Sequence, residues 1–243
     1  MTLLEEFILS PFEKMMLGQL LPGSSVFLIA PHCDDEVLGC AGALLRYLEQ
    51  GSQVIILYMT MDKEKKRRAE ALDAWKNQSN VYLRFLEAED SALHRVRDNA
   101  VSMLDELLVQ YKPDVIFTPW ILDMHSDHRT SSMYLSQSIV STQLYQTGFS
   151  AFVAQYEVNY PAYSNYSINI SKYMTRKTDM LNCYKSQNPK QLQRMITHLN
   201  GYRASQLNLK KITFSDAFFV SRPEAFVRLC DQLCYQTSSS AFY

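Results

Sequence analysis

Short apolar runs alternate with amphipathic segments along the first half of the chain. Residues 26–30 and 54–58 are continuous apolar runs, which are typical of strands buried on both faces of a parallel sheet. Between them, the apolar positions from Val37 to Leu48 follow helical spacing, and Gly51 stands where a helix commonly ends. The pattern predicts a strand–helix–strand unit with a right-handed crossover.

The alternation continues to about residue 150. It predicts a charged helix over 63–76, a short strand at 81–83, a helix over 101–111 and a strand at 115–118. Ala69, Leu72 and Trp75 are expected on the inner face of the charged helix. Such alternation favours an α/β fold, Rossmann-like, with a mostly parallel sheet flanked by helices.

The pattern changes after residue 150. The sequence there predicts strands and loops over 152–170, helices at 172–186 and 189–200, a strand at 213–220 and a helix at 223–234. We therefore expect one domain over residues 1–243, with a core at about 24–150 and a substrate-side lobe at about 151–243. The apolar segment 3–21, interrupted by charges, is expected to form an amphipathic helix that packs on the domain or on a second subunit of a homo-oligomer.

Composition narrows the class of protein. The 243 residues are 47% apolar, which is enough for a sizeable core, and the net charge of −1 gives no electrostatic argument for nucleic acid or an anionic membrane. No apolar stretch approaches the ~20 residues of a membrane span, and no leader pattern is visible. Five scattered cysteines are typical of reduced thiols. These features predict a cytoplasmic protein without a membrane span.

Two polar clusters follow predicted strands. Residues 31–36 (PHCDDE) come after the first strand, and residues 119–129 (PWILDMHSDHR) come after the strand at 115–118. Ligands of open α/β sheets bind outside the carboxyl ends of the strands. We therefore expect the two clusters to converge on one site.

The residue types in these clusters suit zinc. A catalytic zinc site needs three protein ligands and one open position, and hydrolysis needs a base and an acid besides. Spacing alone leaves open whether Asp34 or Asp35 binds the metal, and whether His125 or His128 does. Each cluster alone also has a simpler interpretation, because acidic residues favour a helix N-terminus and loop histidines are common.

The two motifs together resemble those of the PIG-L/LmbE-type de-N-acetylases, whose usual signatures are Pro-His-Pro-Asp-Asp-Glu and His-x-Asp-His. Residues 67–74 also look like the family's Arg-x-x-Glu-x-x-x-Ala helix. The resemblance implies a hydrolase that removes the acetyl group of an N-acetylated, GlcNAc-type sugar or glycoconjugate. It implies a Zn²⁺ cofactor, and the same ligands would accept another divalent metal such as Fe²⁺.

The resemblance also implies a role for each matching residue. The implied metal ligands are His32, Asp35 and His128. Asp34 matches the general base, and His125 matches a general acid or a stabiliser of the tetrahedral intermediate. Asp127 is expected to orient or tune His125 by hydrogen bonding, with its carboxylate as the acceptor. Arg67 matches an arginine that contacts sugar hydroxyls.

The chain departs from the family pattern at two positions near the expected site. Cys33 replaces the second proline of the first motif, either as an inert turn residue or as an inhibitory, redox-sensitive ligand. Residues 60–63 lack the glycine of the family's Thr-x-Gly-Glu, so the acceptor site is expected to differ from that of the thiol-cofactor enzymes.

Two other functions remain as alternatives. An amidase acting on a larger acyl group or a thiol-cofactor conjugate would use the same fold and metal. A non-catalytic sugar-binding relative fits less well, because all five catalytic positions are filled. A dinucleotide site is disfavoured, because the first strand is not followed by Gly-x-Gly-x-x-Gly.

Overall fold

One mixed sheet of eight strands lies at the centre of the protein. The computed structural model describes residues 16–143 and 151–239. Across the sheet the strands follow the order β1 (Met16–Gly18), β7 (Tyr166–Asn169), β8 (Ser215–Ser221), β6 (Phe152–Tyr156), β5 (Val115–Pro119), β2 (Ser25–Ala30), β3 (Gln53–Met61) and β4 (Val81–Glu89). β8 is antiparallel to both of its neighbours, and the other pairings are parallel.

Seven α-helices in the described residues flank this sheet. They are α1 (Asp35–Glu49), α2 (Lys66–Trp75), α3 (Arg97–Tyr111), α4 (Ser126–Ser141), α5 (Met174–Met180), α6 (Pro189–Gln206) and α7 (Pro223–Ser239). Single 3₁₀ turns occur at Leu93–Val96, Leu181–Cys183 and Lys185–Gln187. The arrangement confirms the predicted Rossmann-like α/β class. Across the described part of the chain, every helix is too short or too polar to cross a membrane.

The two faces of the sheet build separate cores. In β2, Val26 and Leu28 belong to the core on one face, whereas Phe27 and Ile29 belong to the core on the other. All four side chains are fully buried. Helices cover both faces, so successive strand residues all meet apolar neighbours, which explains the continuous apolar runs in the sequence.

The inner face of α2 differs from the prediction. Ala69 is exposed and Leu72 is 49% exposed, whereas Ala71 and Ala74 are buried beside Trp75. Apolar residues form two neighbouring stripes along this helix, one with Ala69 and Leu72 and one with Ala71 and Ala74. The stripe with the smaller side chains faces the core. The prediction chose the other stripe and was wrong for Ala69 and Leu72.

The sequence analysis also missed α4, because this helix has six serines where an apolar stripe is expected. Ser132, fully buried, donates to the carbonyl of Pro119 at 2.6 Å and lies 2.9 Å from the Thr118 hydroxyl. Ser141 donates to Asp105 of α3 at 2.8 Å. Hydroxyl hydrogen bonds thus replace part of the apolar packing, and the hydrophobic period is correspondingly weak.

Residues 16–18 differ from the amphipathic helix that is expected over 3–21. Residues 16–18 form β1, which pairs with β7 at the edge of the sheet. That part of the prediction is wrong, because the backbone here completes a sheet instead of a helix. Residues 3–15 lie outside the described residues.

The strand order indicates where along the sheet a ligand is expected to bind. β2 pairs with β3 on one side and with β5 on the other, so the connections that leave β2 and β5 diverge. In open α/β sheets a crevice forms at this point, outside the carboxyl ends of the strands. Both polar clusters of the sequence begin there, at residues 31 and 119.

Candidate metal centre

The first cluster forms a tight turn between β2 and α1. The carboxylate of Asp35, the first residue of α1, accepts a hydrogen bond from the backbone N–H of His32 at 2.9 Å. Asp34 adopts φ +127° and ψ −27°, a conformation that non-glycine residues rarely adopt. Its carbonyl accepts from the N–H groups of Val37 and Leu38, both at 2.9 Å. The turn thus projects His32 and Asp35 from the carboxyl end of β2.

The second cluster forms the start of α4. His125 is the N-cap residue, and its Nδ1 accepts from the backbone N–H of Asp127 at 3.2 Å. His128 lies in the first turn of the helix and is 1% exposed. Because the helix begins at the carboxyl edge of β5, His128 meets the β2 turn.

Three side chains from the two clusters form a compact triangle of donor atoms. His32 Nδ1 lies 3.2 Å from Asp35 Oδ2, His128 Nε2 lies 3.2 Å from the same oxygen, and the two ring nitrogens are 3.3 Å apart. Tetrahedral zinc with ligand bonds of about 2.0–2.1 Å requires donor atoms about 3.3 Å apart. The His₂Asp set therefore fits zinc in chemistry and in spacing, and a donor nitrogen of His125 also lies within 4.8 Å of donor nitrogens of His32 and His128.

Carboxylates lie close to the outer nitrogen of both histidines of the triangle. His128 Nδ1 lies 3.3 Å from Asp123 Oδ2. His32 Nε2 lies 3.3 Å from Asp90 and 3.4 Å from Asp127. Carboxylate–histidine pairs of this kind fix the ring orientation and raise ligand basicity in metal sites.

The carboxylates around the two histidines make the electrostatic potential of the site strongly negative. Burial lowers the pKa of His32, but the carboxylates of Asp127 and Asp35, 3.4 Å and 3.2 Å from its ring nitrogens, outweigh it and raise that pKa to about 12. Burial likewise lowers the pKa of His128, while the charge of Asp35 and the nearby Asp123 carboxylate raise it to about 9. The surrounding carboxylates thus favour positive charge at both imidazoles, and a divalent cation held between the two rings would supply that charge.

His125 and Asp127 are placed differently from the sequence expectation. The backbone N–H of Asp127 donates to His125, whereas its carboxylate accepts from the N–H groups of Ser91 at 2.7 Å and Leu93 at 3.4 Å. The prediction of a hydrogen bond between the Asp127 carboxylate and His125 is therefore wrong. The N-cap geometry directs the backbone amide of Asp127, not its carboxylate, toward the ring. Burial, followed by the nearby charge of His32, lowers the pKa of His125.

Arg67 lies beside the triangle, on α2. Its Nη1 is 3.3 Å from Asp90 Oδ2, and the other oxygen of Asp90 faces His32. The Arg67 side chain is 22% exposed, so part of it is open to solvent beside the triangle.

Cys33, in contrast, is 1% exposed and packs in the hydrophobic core on the α1 side of the sheet. This favours the inert-turn interpretation of Cys33.

Three residues of the site were missed in the sequence analysis. Asp90 follows β4 and belongs to neither motif, so only the parallel pairing of β4 with β3 brings it to this edge. Asp123 lies within the second cluster, two residues before His125. Its position there was a signal, but spacing alone did not distinguish it from Asp127 of the same cluster. Glu36 ends the first motif and is fully buried behind the turn.

Comparison with solved structures shows that this fold is shared by several proteins. N,N'-diacetylchitobiose deacetylase from Pyrococcus horikoshii is 20% identical, with a TM-score of 0.69 over 91% of each chain. The 4-carboxy-2-hydroxymuconate hydratase GalB from Pseudomonas putida is 16% identical, with a TM-score of 0.70 over 81% of this chain and 95% of GalB. The conserved protein TT1542 from Thermus thermophilus is 22% identical, with a TM-score of 0.67 over 80% of this chain and 93% of TT1542.

The sequence itself matches a family model over the segment that carries both motifs. The match covers residues 27–138, from β2 to the last turns of α4, and the model describes PIG-L, the GlcNAc-PI de-N-acetylase. His32, Asp35 and His128 all lie within it. Over residues 27–138 this chain therefore matches the PIG-L family model, in agreement with the resemblance of its two motifs.

Proposed function

We propose that the protein is a zinc-dependent N-deacetylase that hydrolyses the acetamide of a GlcNAc-type sugar and releases acetate and an amino sugar. The observation that carries this proposal is the 3.2–3.3 Å triangle of His32, Asp35 and His128 between two acid–base candidates, Asp34 and His125. The PIG-L match and the fold shared with a chitobiose deacetylase support an N-acetylated sugar as substrate.

Asp34 is the proposed general base. Zinc, when bound by His32, Asp35 and His128, supplies a Lewis acid that polarises the acetamide carbonyl and acidifies water. Asp34 takes the proton from the attacking water, and its carboxylate is available for this because it is absent from the triangle. Its burial and the charge of Asp35 raise its pKa, which makes it a stronger base than a free aspartate.

His125 is the proposed partner at the leaving group. Its Nδ1 accepts the N–H of Asp127, so Nε2 is the atom that carries the proton of the neutral ring. From there it hydrogen-bonds the developing oxyanion or passes a proton to the departing amine. Arg67, held by Asp90 at 3.3 Å, is the proposed contact for the sugar hydroxyls.

The test is acetate release from a panel of N-acetylglucosamine-containing substrates by the zinc-loaded protein, beside Asp34→Asn. We expect equal amounts of acetate and free amine from the parent, and a loss of at least about 100-fold in Asp34→Asn, the scale of general base catalysis. Asp98→Asn is the matched control, because this aspartate is 92% exposed on α3 and should keep the parent rate. Equal rates in the parent and Asp34→Asn would contradict the role of Asp34.

A hydratase is the second candidate, because GalB shares the fold. Both reactions need a positioned water and a base, so the site alone permits either. Acetate distinguishes them, since hydration of a double bond releases none. A protein that binds zinc and releases no acetate from any N-acetylated sugar, but hydrates an unsaturated carboxylate, would replace the first proposal with the second.

A further inference from the structure

A buried carboxylate ends the first motif and lies behind its turn, and none of the proposed catalytic steps uses it. Glu36, in the first turn of α1, is 0% exposed. Its Oε1 accepts from the indole N–H of Trp75 at 3.1 Å and from the hydroxyl of Tyr184. Its Oε2 accepts from the backbone N–H of Asp34 at 3.0 Å. Glu36 therefore joins α2 and the segment after α5 to the backbone of the proposed base.

The backbone of Asp34 needs such support. Its φ of +127° is sterically unfavourable for an L-residue, and such conformations persist where the surrounding structure holds them. The start of α1 holds one side, because the N–H groups of Val37 and Leu38 donate to the Asp34 carbonyl. Glu36 holds the other side through the Asp34 N–H. Both peptide groups that flank Asp34 are thus fixed.

We propose that Glu36 is a positioning residue that holds the strained turn and thereby aims the Asp34 carboxylate. Trp75 and Tyr184 fix the Glu36 side chain from behind, so the position of Asp34 depends on packing remote from the site. An apolar side chain would fill this space without the cost of burying a carboxylate. The carboxylate supplies what an apolar side chain lacks, which is an acceptor for the Asp34 N–H. This inference rests on the proposed role of Asp34 as the base.

The test is Glu36→Gln, because a carboxamide keeps the shape but has one acceptor oxygen. It can accept from Trp75 and Tyr184 or from Asp34, but it cannot serve both sides. We expect amide hydrogen exchange at Asp34, followed by NMR, to become at least about tenfold faster. We also expect kcat to fall about tenfold, the scale of one lost hydrogen bond, with KM within about twofold of the parent. Zinc affinity in a chelator competition should stay within about threefold, since the donor triangle is untouched.

The matched control is Tyr47→Phe, which removes another buried hydrogen bond of α1. The Tyr47 hydroxyl donates to the carbonyl of Leu21 at 2.9 Å, toward the far end of the helix. It should leave kcat and the exchange of the Asp34 amide as in the parent. If Glu36→Gln does not fold, Tyr184→Phe weakens the same network and should move both readouts in the same direction by about threefold.

The two readouts separate this inference from the proposed function. An unchanged exchange rate at Asp34 in both Glu36→Gln and Tyr184→Phe overturns the inference, whatever the activity. Faster exchange with an unchanged kcat also overturns it, because the hydrogen bond would then have no effect on the base. A parent protein without acetate release refutes the deacetylase proposal, while the exchange rates still decide whether Glu36 holds Asp34.

Discussion

Two adjacent carboxylates at the start of α1 have opposite electrostatic environments. Burial raises the pKa of both, but the charges and hydrogen bonds of His128 and His32 outweigh it at Asp35 and lower that pKa. At Asp34 burial and the neighbouring charge of Asp35 act together, and the pKa is raised well above its ordinary value. The carboxylate beside the histidines is thus kept ionised, as its proposed role as a metal ligand requires, and its neighbour binds a proton more readily, as the proposed general base must.

At the same scale, we predict that Asp123→Asn weakens metal binding without removing a ligand. The Asp123 carboxylate lies 3.3 Å from His128 Nδ1 and accepts the His125 N–H at 2.8 Å. An amide at this position is a poorer partner for the Nδ1–H of His128 and lowers the basicity of Nε2. We expect a loss of zinc affinity of roughly 10- to 100-fold, measured by competition with a chromophoric chelator. An unchanged zinc affinity would show that Asp123 only fixes the loop, through its hydrogen bond with the backbone N–H of His125.

Single residues were predicted from the sequence where a motif fixed their spacing. His32, Asp35 and His128 meet as the resemblance implied, while Asp34, His125 and Arg67 keep their proposed roles. Asp90 could not be found in this way, because no local pattern distinguishes one loop carboxylate from another. It reaches His32 only through the pairing of distant strands.

Among the secondary-structure elements, those with strong apolar patterns were predicted and those with polar interfaces were not. β2 and β3 were found because their central residues form continuous apolar runs, whereas α4 buries Ser132 and Ser138 on hydroxyl hydrogen bonds. α2 was found with the wrong inner face, since its apolar stripes differ by one residue, which is about 100° around a helix. Packing, not periodicity, selects between such stripes.

We predict that a buried ion pair between α5 and β8 is a main support of the second half of the chain. Lys177 Nζ lies 2.6 Å from Asp216 Oδ1, and both side chains are 0% exposed. The other Asp216 oxygen accepts from the N–H of Ala43 in α1 at 2.9 Å. Lys177→Met leaves the Asp216 charge without its cation, so the free energy of unfolding should fall by about 3–5 kcal/mol, measured by denaturant titration.

The surface pair Lys76–Asp73 is the control for that measurement. Its atoms are 2.7 Å apart, but the side chains are 60% and 48% exposed. Water and salt screen such a pair, so Lys76→Met should leave the denaturation midpoint close to that of the parent. Similar losses in Lys76→Met and Lys177→Met would mean that burial does not distinguish the two pairs.

For the whole molecule, the position of the site follows from the strand order. The sequence predicted strand–helix alternation, which implies a parallel sheet, and polar residues at two strand ends. It did not contain the order of the eight strands, which depends on pairings between residues such as Val26 and Val115. The switch between β2 and β5 brings the two motifs together across 96 positions of sequence, from His32 to His128.

Because the donor triangle joins these two strand ends, zinc should stabilise the folded protein as a whole. At free zinc of about 1,000 times Kd the gain is about 4 kcal/mol, which corresponds to a rise in Tm of about 8–16 °C for a chain of this size. Scanning calorimetry with zinc and after chelation measures it. Asp34→Asn should keep this rise, and Asp35→Asn should lose most of it, since Asp35 contacts both histidines of the triangle. The reverse pattern would assign the metal to Asp34 and the base to Asp35, and no rise in the parent would remove zinc from the mechanism.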